Sequence, residues 1–196
     1  TRPAGFDFQP GQRIALTQGG VTREYSLASA PGEADLTLCI GVVAGGRLSP
    51  RLARLAPGAL LEIEGPWGHF LFQPSRQKAV FIAGGTGVAP FRAMAAQGHT
   101  PALLIQGAPN LAEAYYQSWF GRRTARHVLC LSAPASLPTE ANSEIFAGRV
   151  TDFMARHLPP ESYDFYLCGG PLLVRDTMAL IDERFPQSRV RSELFD

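Results

Sequence analysis

The feature that most constrains this chain is a change of pattern near residues 73–78. Before it, short β-rich runs are punctuated by Gly and Pro: GQRIALTQ, TREYSLAS, DLTLCIGVV, ALLEIEG and HFLF read as strands. One helical pattern, SPRLARLA at 49–56, sits among them, with Pro50 suited to the first turn and Ser49 to the N-cap. After the change, buried apolar runs alternate with helical ones. AVFIAG leads to VAPFRAMAAQ and its stop at Gly98, and ALLIQG leads to a second helix, LAEAYYQSWF. HVLCLS leads through a loop to RVTDFMARHL, YDFYLCGG leads to PLLVRDTMALIDERF, and RVRSELF closes as a short strand. Such alternation calls for a parallel sheet with right-handed crossovers. The expected fold is β plus α/β: an antiparallel β-barrel over residues 1–73, then a parallel-sheet domain over residues 78–196. A barrel normally closes its edges, and about five strands leave this one short. An N-terminal strand, or a whole upstream domain, is therefore expected to precede residue 1.

Composition removes several functional classes. With 45% hydrophobic and 18% charged residues in 196, the chain can bury a core and disorder is not expected. A net charge of +1 gives no basic face for nucleic acid. No apolar run approaches the ~18 residues of a membrane span. Cys39, Cys130 and Cys168 are too scattered for a disulfide framework or a zinc site, and too few for an all-cysteine iron–sulfur cluster. Their scarcity suits a reducing, cytoplasmic compartment. His69, His99, His127 and His157 show no ligand spacing and read as surface or packing residues, so no metal site is expected.

The glycine loops carry the chemistry. AGGTGVAP at 83–90 joins a buried strand to a helix, where a parallel sheet binds a dinucleotide at the carboxyl ends of its strands. Gly84, Gly85 and Gly87 permit close backbone approach, and the helix start presents free N–H groups to phosphate. The loop is not GxGxxG, and a plain tight strand–helix turn is the competing reading. LCGGP at 167–171 sets Cys168 beside Gly169, Gly170 and Pro171 at a second strand end. An isolated cysteine there would be read as core; the flanking glycines favour a site. In the barrel half, REYS at 23–26 combines a cation for phosphate (Arg23), a ring for stacking (Tyr25) and a hydroxyl (Ser26). GGRLS at 45–49 is a third glycine turn opening a helix, hence another phosphate nest.

REYSLASAP, GGRLS, GGTGVAP, YLCGGP and the terminal ELF, in this order over nearly the whole chain, resemble the ferredoxin–NADP reductase superfamily. The likeness is nearest to the reductase components that feed oxygenases. The resemblance implies an FAD-binding barrel (FMN as the alternative) and an NAD(P)-binding domain. It implies that Arg23 holds a flavin phosphate, Tyr25 packs on the isoalloxazine, Ser26 bonds near its N5, and Glu24 lies in the same strand. Cys39, Ile40 and Gly41 match the strand lining the flavin; Gly46, Arg47, Leu48 and Ser49 match the pyrophosphate turn. Gly84, Gly85, Thr86, Gly87 and Val88 would meet the nicotinamide half of the second nucleotide, with Cys168, Gly169 and Gly170 beside its ring. Phe195 matches an aromatic covering the flavin face where nicotinamide docks. The implied activity is hydride transfer from NAD(P)H to bound FAD, with electrons passed to a ferredoxin, iron–sulfur domain or other acceptor protein. Ser26, Cys168 and Phe195 form its catalytic set, acting by position.

Two rival readings stand beside this one. A non-enzymatic flavin-binding or regulatory module would share the fold, but it would not need Thr86, Cys168 and Phe195. An unrelated NAD-dependent dehydrogenase would not explain REYS and GGRLS in a β-rich half. Between nucleotides, NADH is expected over NADPH. A 2′-phosphate recruits Arg or Lys, yet Ala108, Pro109 and Asn110 follow ALLIQG and no cation appears until Arg122. After HVLCLS come Ala133, Pro134 and Ala135, with Glu140 and Glu144 before Arg149; family members using NADPH tend to place a basic residue where Ala133 stands. The alternative is that Arg122, Arg123 or Arg126 folds back to reach the phosphate.

Overall fold

Two sheets organise the molecule, whose computed structural model describes residues 1–133 and 143–195. The first is antiparallel, three-stranded and ordered β2-β1-β3, from β1 (Arg13–Gln18), β2 (Val21–Ser26) and β3 (Glu62–Trp67). Gly19 and Gly20 make the β1–β2 turn at positive φ, as a two-residue hairpin loop requires. Ile14, Leu16, Val21, Leu27 and Leu48 fill this half's core. Arg13 at the head of β1 stands opposite Ser26 on one side and Trp67 on the other.

The second sheet is six-stranded and parallel, in the order β7-β6-β5-β4-β8-β9. Its strands are β4 (Lys78–Gly84), β5 (Leu103–Ala108), β6 (His127–Leu131), β7 (Glu144–Ala147), β8 (Tyr163–Gly169) and β9 (Arg189–Leu194). The chain enters at β4, builds outward through β5, β6 and β7, then returns to the other side of β4 with β8 and β9. The order reverses between β4 and β8, which opens a crevice at their carboxyl ends. β4 is a continuous apolar run because both its faces are covered. Val80 and Ile82 pack with Phe153, Met154 and Phe165, while Phe81 and Ala83 pack on the opposite face with Phe91, Met94 and Phe120.

The helices are α1 (Ser49–Leu52), α2 (Ala89–Ala96), α3 (Gln117–Gly121), α4 (Val150–His157) and α5 (Pro171–Arg184). α5 turns Val174, Thr177 and Ile181 inward at helical spacing. α2 stops just before Gly98. Among the described residues no helix is long and apolar enough to cross a membrane.

The structure corrects four local readings. Residues 35–43 and 69–72 are not ladder strands: among the described residues the former pairs through a Leu27–Leu38 bridge and an Ala28 N–H bond to Thr37 O, without a ladder. Ser49 is not an N-cap but the first residue of a single helical turn; its hydroxyl accepts from Val43 N–H at 3.0 Å, closing the glycine turn instead. LAEAYYQSWF is not one helix. Its first part is a 3₁₀ turn (Leu111–Glu113), and Tyr116 takes φ 58 ahead of α3. The Gln106 side chain draws Tyr115 O at 2.8 Å, which diverts that carbonyl from helix bonding. SEIFAG contains β7, a four-residue edge strand too short to show a pattern.

Candidate active site

The barrel-side motifs and the carboxyl end of the parallel sheet meet at one cavity of about 1420 Å³. That exceeds the ~300–1,000 Å³ of ordinary small-molecule sites, so a dinucleotide fits. Arg23, Glu24, Tyr25 and Ser26 line it from β2; Cys39, Ile40 and Gly41 from the extended segment beyond; Gly46, Arg47, Leu48 and Ser49 from the turn into α1. The nucleotide half contributes Thr86 and Phe195. Five separate segments of the sequence thus share one cavity.

Its electrostatics suit a long anionic ligand with a flat apolar part. Arg23 and Arg47 are exposed and form no ion pair among the described residues, which leaves two free cations on the cavity lining. The Arg23 guanidinium bonds only the neighbouring Thr22 O, at 2.8 Å. The turn itself is tight: Gly46 N–H donates to Val43 O at 2.9 Å, and a Cβ on Gly46 would lie 2.9 Å from that same oxygen. The Tyr25 ring and the Cys39–Gly41 segment supply apolar wall. Burial raises the Tyr25 phenol's pKa, against the nearby Arg23, and pushes the Cys39 thiol up to about 11. Neither ionises near neutral pH.

The floor holds a polar chain. Ser26, 3% exposed, donates its hydroxyl proton to Glu193 Oε2 at 2.8 Å. Its lone pairs are thereby free to accept from a ligand N–H. Glu193, 7% exposed, also accepts from Arg13 Nη1 at 2.9 Å. The sequence presents Glu193 only as a letter of ELF, marks His69 only as a surface or packing residue, and gives no signal for Arg13, Glu64, Trp67, Phe70 or Arg191, all of which line the cavity. The signal that marks Glu193 is an acidic residue inside a strand that ends in a cavity-lining aromatic.

The remaining candidates stand behind the cavity wall. The β8–β9 register sets Cys168 beside Glu193, and Phe195 N–H bonds Gly169 O at 3.2 Å. Cys168 is fully buried, and burial, with Glu193 nearby, holds its thiol protonated well above the ordinary range. Gly84, Gly85, Gly87, Val88, Gly169 and Gly170 are not among the cavity's lining residues; of these, Gly84 and Gly87 abut the Cys168–Gly169 end of β8. Gly87 is the tightest point, since a Cβ there would lie 2.1 Å from Cys168 O. Phe195 is half-buried, with one side on the aromatic cluster of Phe81, Phe91 and Tyr166 and another on the cavity.

Known proteins place this architecture. Residues 2–72 match the oxidoreductase FAD-binding domain, and residues 81–179 match the oxidoreductase NAD-binding domain. The reductase component 1 of terephthalate 1,2-dioxygenase from Comamonas sp. is 32% identical over 86% of this chain and 53% of its own length. The phenol hydroxylase P5 protein of Acinetobacter pittii is 30% identical over 97% of this chain and 58% of its own. The chain thus spans about half the length of these relatives. A ferredoxin NADP+ reductase from Neisseria gonorrhoeae, solved with bound FAD and NADP, shares the fold at a TM-score of 0.79 and 21% identity, over 99% of this chain and 89% of that one. The two matched domains, the cavity between them and the order of the strands lead to one assignment: the chain belongs to the ferredoxin–NADP reductase superfamily, as an oxidoreductase with an FAD-binding and an NAD-binding domain.

Proposed function

We propose that this chain is a cytoplasmic reductase module that takes electrons from NADH into bound FAD and passes them to an oxygenase, ferredoxin or other iron–sulfur partner. The observation that carries the reading is the convergence of REYS, the GGRLS turn, Thr86 and Phe195 on one cavity. The relatives' names, reductase components of oxygenases, support the partner class. FAD, when bound, supplies a two-electron acceptor for the nicotinamide that releases electrons onward. Everything else is the work of the chain's own side chains. With FAD bound, Arg23 and Arg47 would hold the diphosphate, Tyr25 and Ile40 would wall the ring, and Ser26 would accept from a ring N–H while its own hydroxyl donates to Glu193. Phe195 would shield the ring until nicotinamide displaced it, with Thr86 and the Cys168–Gly169 end of β8 bordering that position. Two cations and a glycine turn on one cavity suit a diphosphate better than a single phosphate, which favours FAD over FMN. A non-enzymatic module has no use for Phe195 and Thr86 at the cavity. The test is reconstitution with FAD or FMN followed by release and chromatography; retention of FMN alone would overturn the choice.

Phe195 also gives a measurable consequence. Stacking contributes ~0.5–1.5 kcal/mol beyond burial. Removing Phe195 and Asp196 is expected to tighten oxidised nicotinamide binding by about two- to tenfold, read by titration of the flavin-loaded protein. Unchanged affinity would mean that Phe195 serves only the aromatic cluster behind it.

NADH is expected to outperform NADPH in catalytic efficiency by at least tenfold at low ionic strength. Among the arginines after β5, Arg126 precedes β6 and so lies at the wrong end of the sheet for a 2′-phosphate, where it forks onto Glu144 at 2.9 and 3.0 Å. The Arg123 guanidinium sits 4.7 Å from the Trp119 ring centroid. At the carboxyl end, the Asn110 side chain is engaged by Glu113. Pro134, Ala135 and Glu140 lie outside the described residues. Equal efficiency with NADPH would contradict this and implicate Arg122, exposed in the same cluster, or Arg149, exposed just after β7.

A further inference from the structure

The strand register places Arg13 opposite both Ser26 and Trp67, at the point where the antiparallel sheet meets the end of β9. Its guanidinium touches two acids of different elements. Nη1 donates to Glu193 Oε1 at 2.9 Å, and Nε lies 2.6 Å from Glu24 Oε2. Glu24 in turn accepts from Trp67 Nε1 at 3.2 Å, and Glu193 from the Ser26 hydroxyl at 2.8 Å. The result is one chain, Trp67–Glu24–Arg13–Glu193–Ser26, whose five members all line the cavity. Glu193 is the only one contributed by the parallel sheet.

This geometry constrains Ser26 in two ways. A buried carboxylate with one hydroxyl partner is free to rotate; a second, charged donor on its other oxygen fixes the plane. With Arg13 on Oε1, Oε2 is held toward Ser26, and the serine's lone pairs are held toward the cavity. Glu193 also sits two residues before Phe195, so the same ion pair anchors the end of β9 to the antiparallel sheet. A lysine cannot reproduce the arrangement, because a single ammonium does not span two carboxylates as a planar guanidinium does.

We propose that Arg13 is a positioning residue of the redox site, acting through Glu193 on the orientation of Ser26 and on the seating of the β9 end. The inference rests on the placement of Ser26 at the flavin under the proposed function. In the FAD-loaded chain, Arg13→Met is expected to lower kcat for flavin reduction by NADH about tenfold, with KM for NADH within twofold and flavin affinity within threefold. A strut with only a structural role would lower stability and flavin retention while leaving kcat alone. Arg13→Lys should recover part of the loss. In a Ser26→Ala background, Arg13→Met should cause no further fall, because the two act as one unit. Amide exchange over residues 192–195 of the loaded protein should rise in Arg13→Met without a change across β4. If Arg13→Met does not accumulate folded, Arg13→Gln, which keeps a donor but no charge, is read the same way. Wild-type kcat in the Arg13 variants, or losses that add to those of Ser26→Ala, would overturn the proposal. If Ser26→Ala itself leaves reduction unchanged, the flavin-site reading of Ser26 falls, and this inference with it.

Discussion

Gly87→Ala is expected to destabilise the chain by about 3 kcal/mol and to abolish reduction by NADH. Overpacking a tight interior typically costs ~1–3 kcal/mol when side chains can give way. Here the obstacle is backbone: the new methyl would stand 2.1 Å from Cys168 O, 2.5 Å from its carbonyl carbon and 2.8 Å from Gly169 N. Relief requires the turn after β4 to move away from β8, which opens the seam where the nicotinamide is proposed to dock. Gly32→Ala is the control, since nothing lies within 4 Å of its added Cβ and its backbone needs no positive φ. It should be neutral, or stabilising by up to about 1 kcal/mol through the unfolded chain. Urea unfolding of both variants reads the difference. A Gly87→Ala midpoint equal to that of Gly32→Ala would mean that the seam is slack.

Acid is expected to destabilise the fold through His127. The ring is buried at the start of β6, and burial lowers its pKa to about 4 from 6.5. Gln106 Nε2 donates to Tyr115 O, so its Oε1 faces His127 Nε2 at 3.1 Å and that nitrogen carries the proton. Nδ1 then accepts from the Ser143 hydroxyl at 2.8 Å. The neutral imidazole is therefore fully bonded, and a second proton would place an uncompensated charge in the core. Above pH 6.5 the ring is neutral in both states and has no pH effect. As pH falls below 6.5, the unfolded histidine takes a proton that the folded one refuses, so stability is lost down to about pH 4. At 1.36 kcal/mol per unit, the full loss is about 3 kcal/mol, and about 2 kcal/mol of it is gone by pH 5. His127→Gln, which preserves both hydrogen bonds but does not titrate, should lose about 2 kcal/mol less than wild type between pH 7.5 and 5. Parallel stability profiles for the two proteins would contradict the assignment.

The nucleotide half was legible because its physics is local. AVFIAG and YDFYLCGG are apolar on both faces, and nothing but a central strand under two helical layers buries such runs. The motif loops were legible because glycine at a strand end has few purposes. The barrel half was harder. DLTLCIGVV has strand composition, but a strand is defined by its neighbour, and composition does not supply one. Ser49 has the right type for a cap, yet the Val43 N–H lay closer to hand. LAEAYYQSWF carries helical spacing that the buried Gln106 amide overrides from another strand. The polar floor of the cavity was missed for the same reason: Arg13 and Glu193 lie 180 residues apart and are ordinary surface types until the fold brings them to 2.9 Å.

Electron transfer from a reduced nicotinamide to a flavin held in the shared cavity is tested by anaerobic addition of NADH to the FAD-reconstituted, desalted chain while the visible flavin band is followed. The expected result is a yellow protein that bleaches on a catalytic time scale, more readily with NADH than with NADPH, and recovers its colour when an electron acceptor is added. A yellow protein that NADH leaves unchanged, or one that retains no flavin after reconstitution, would contradict it.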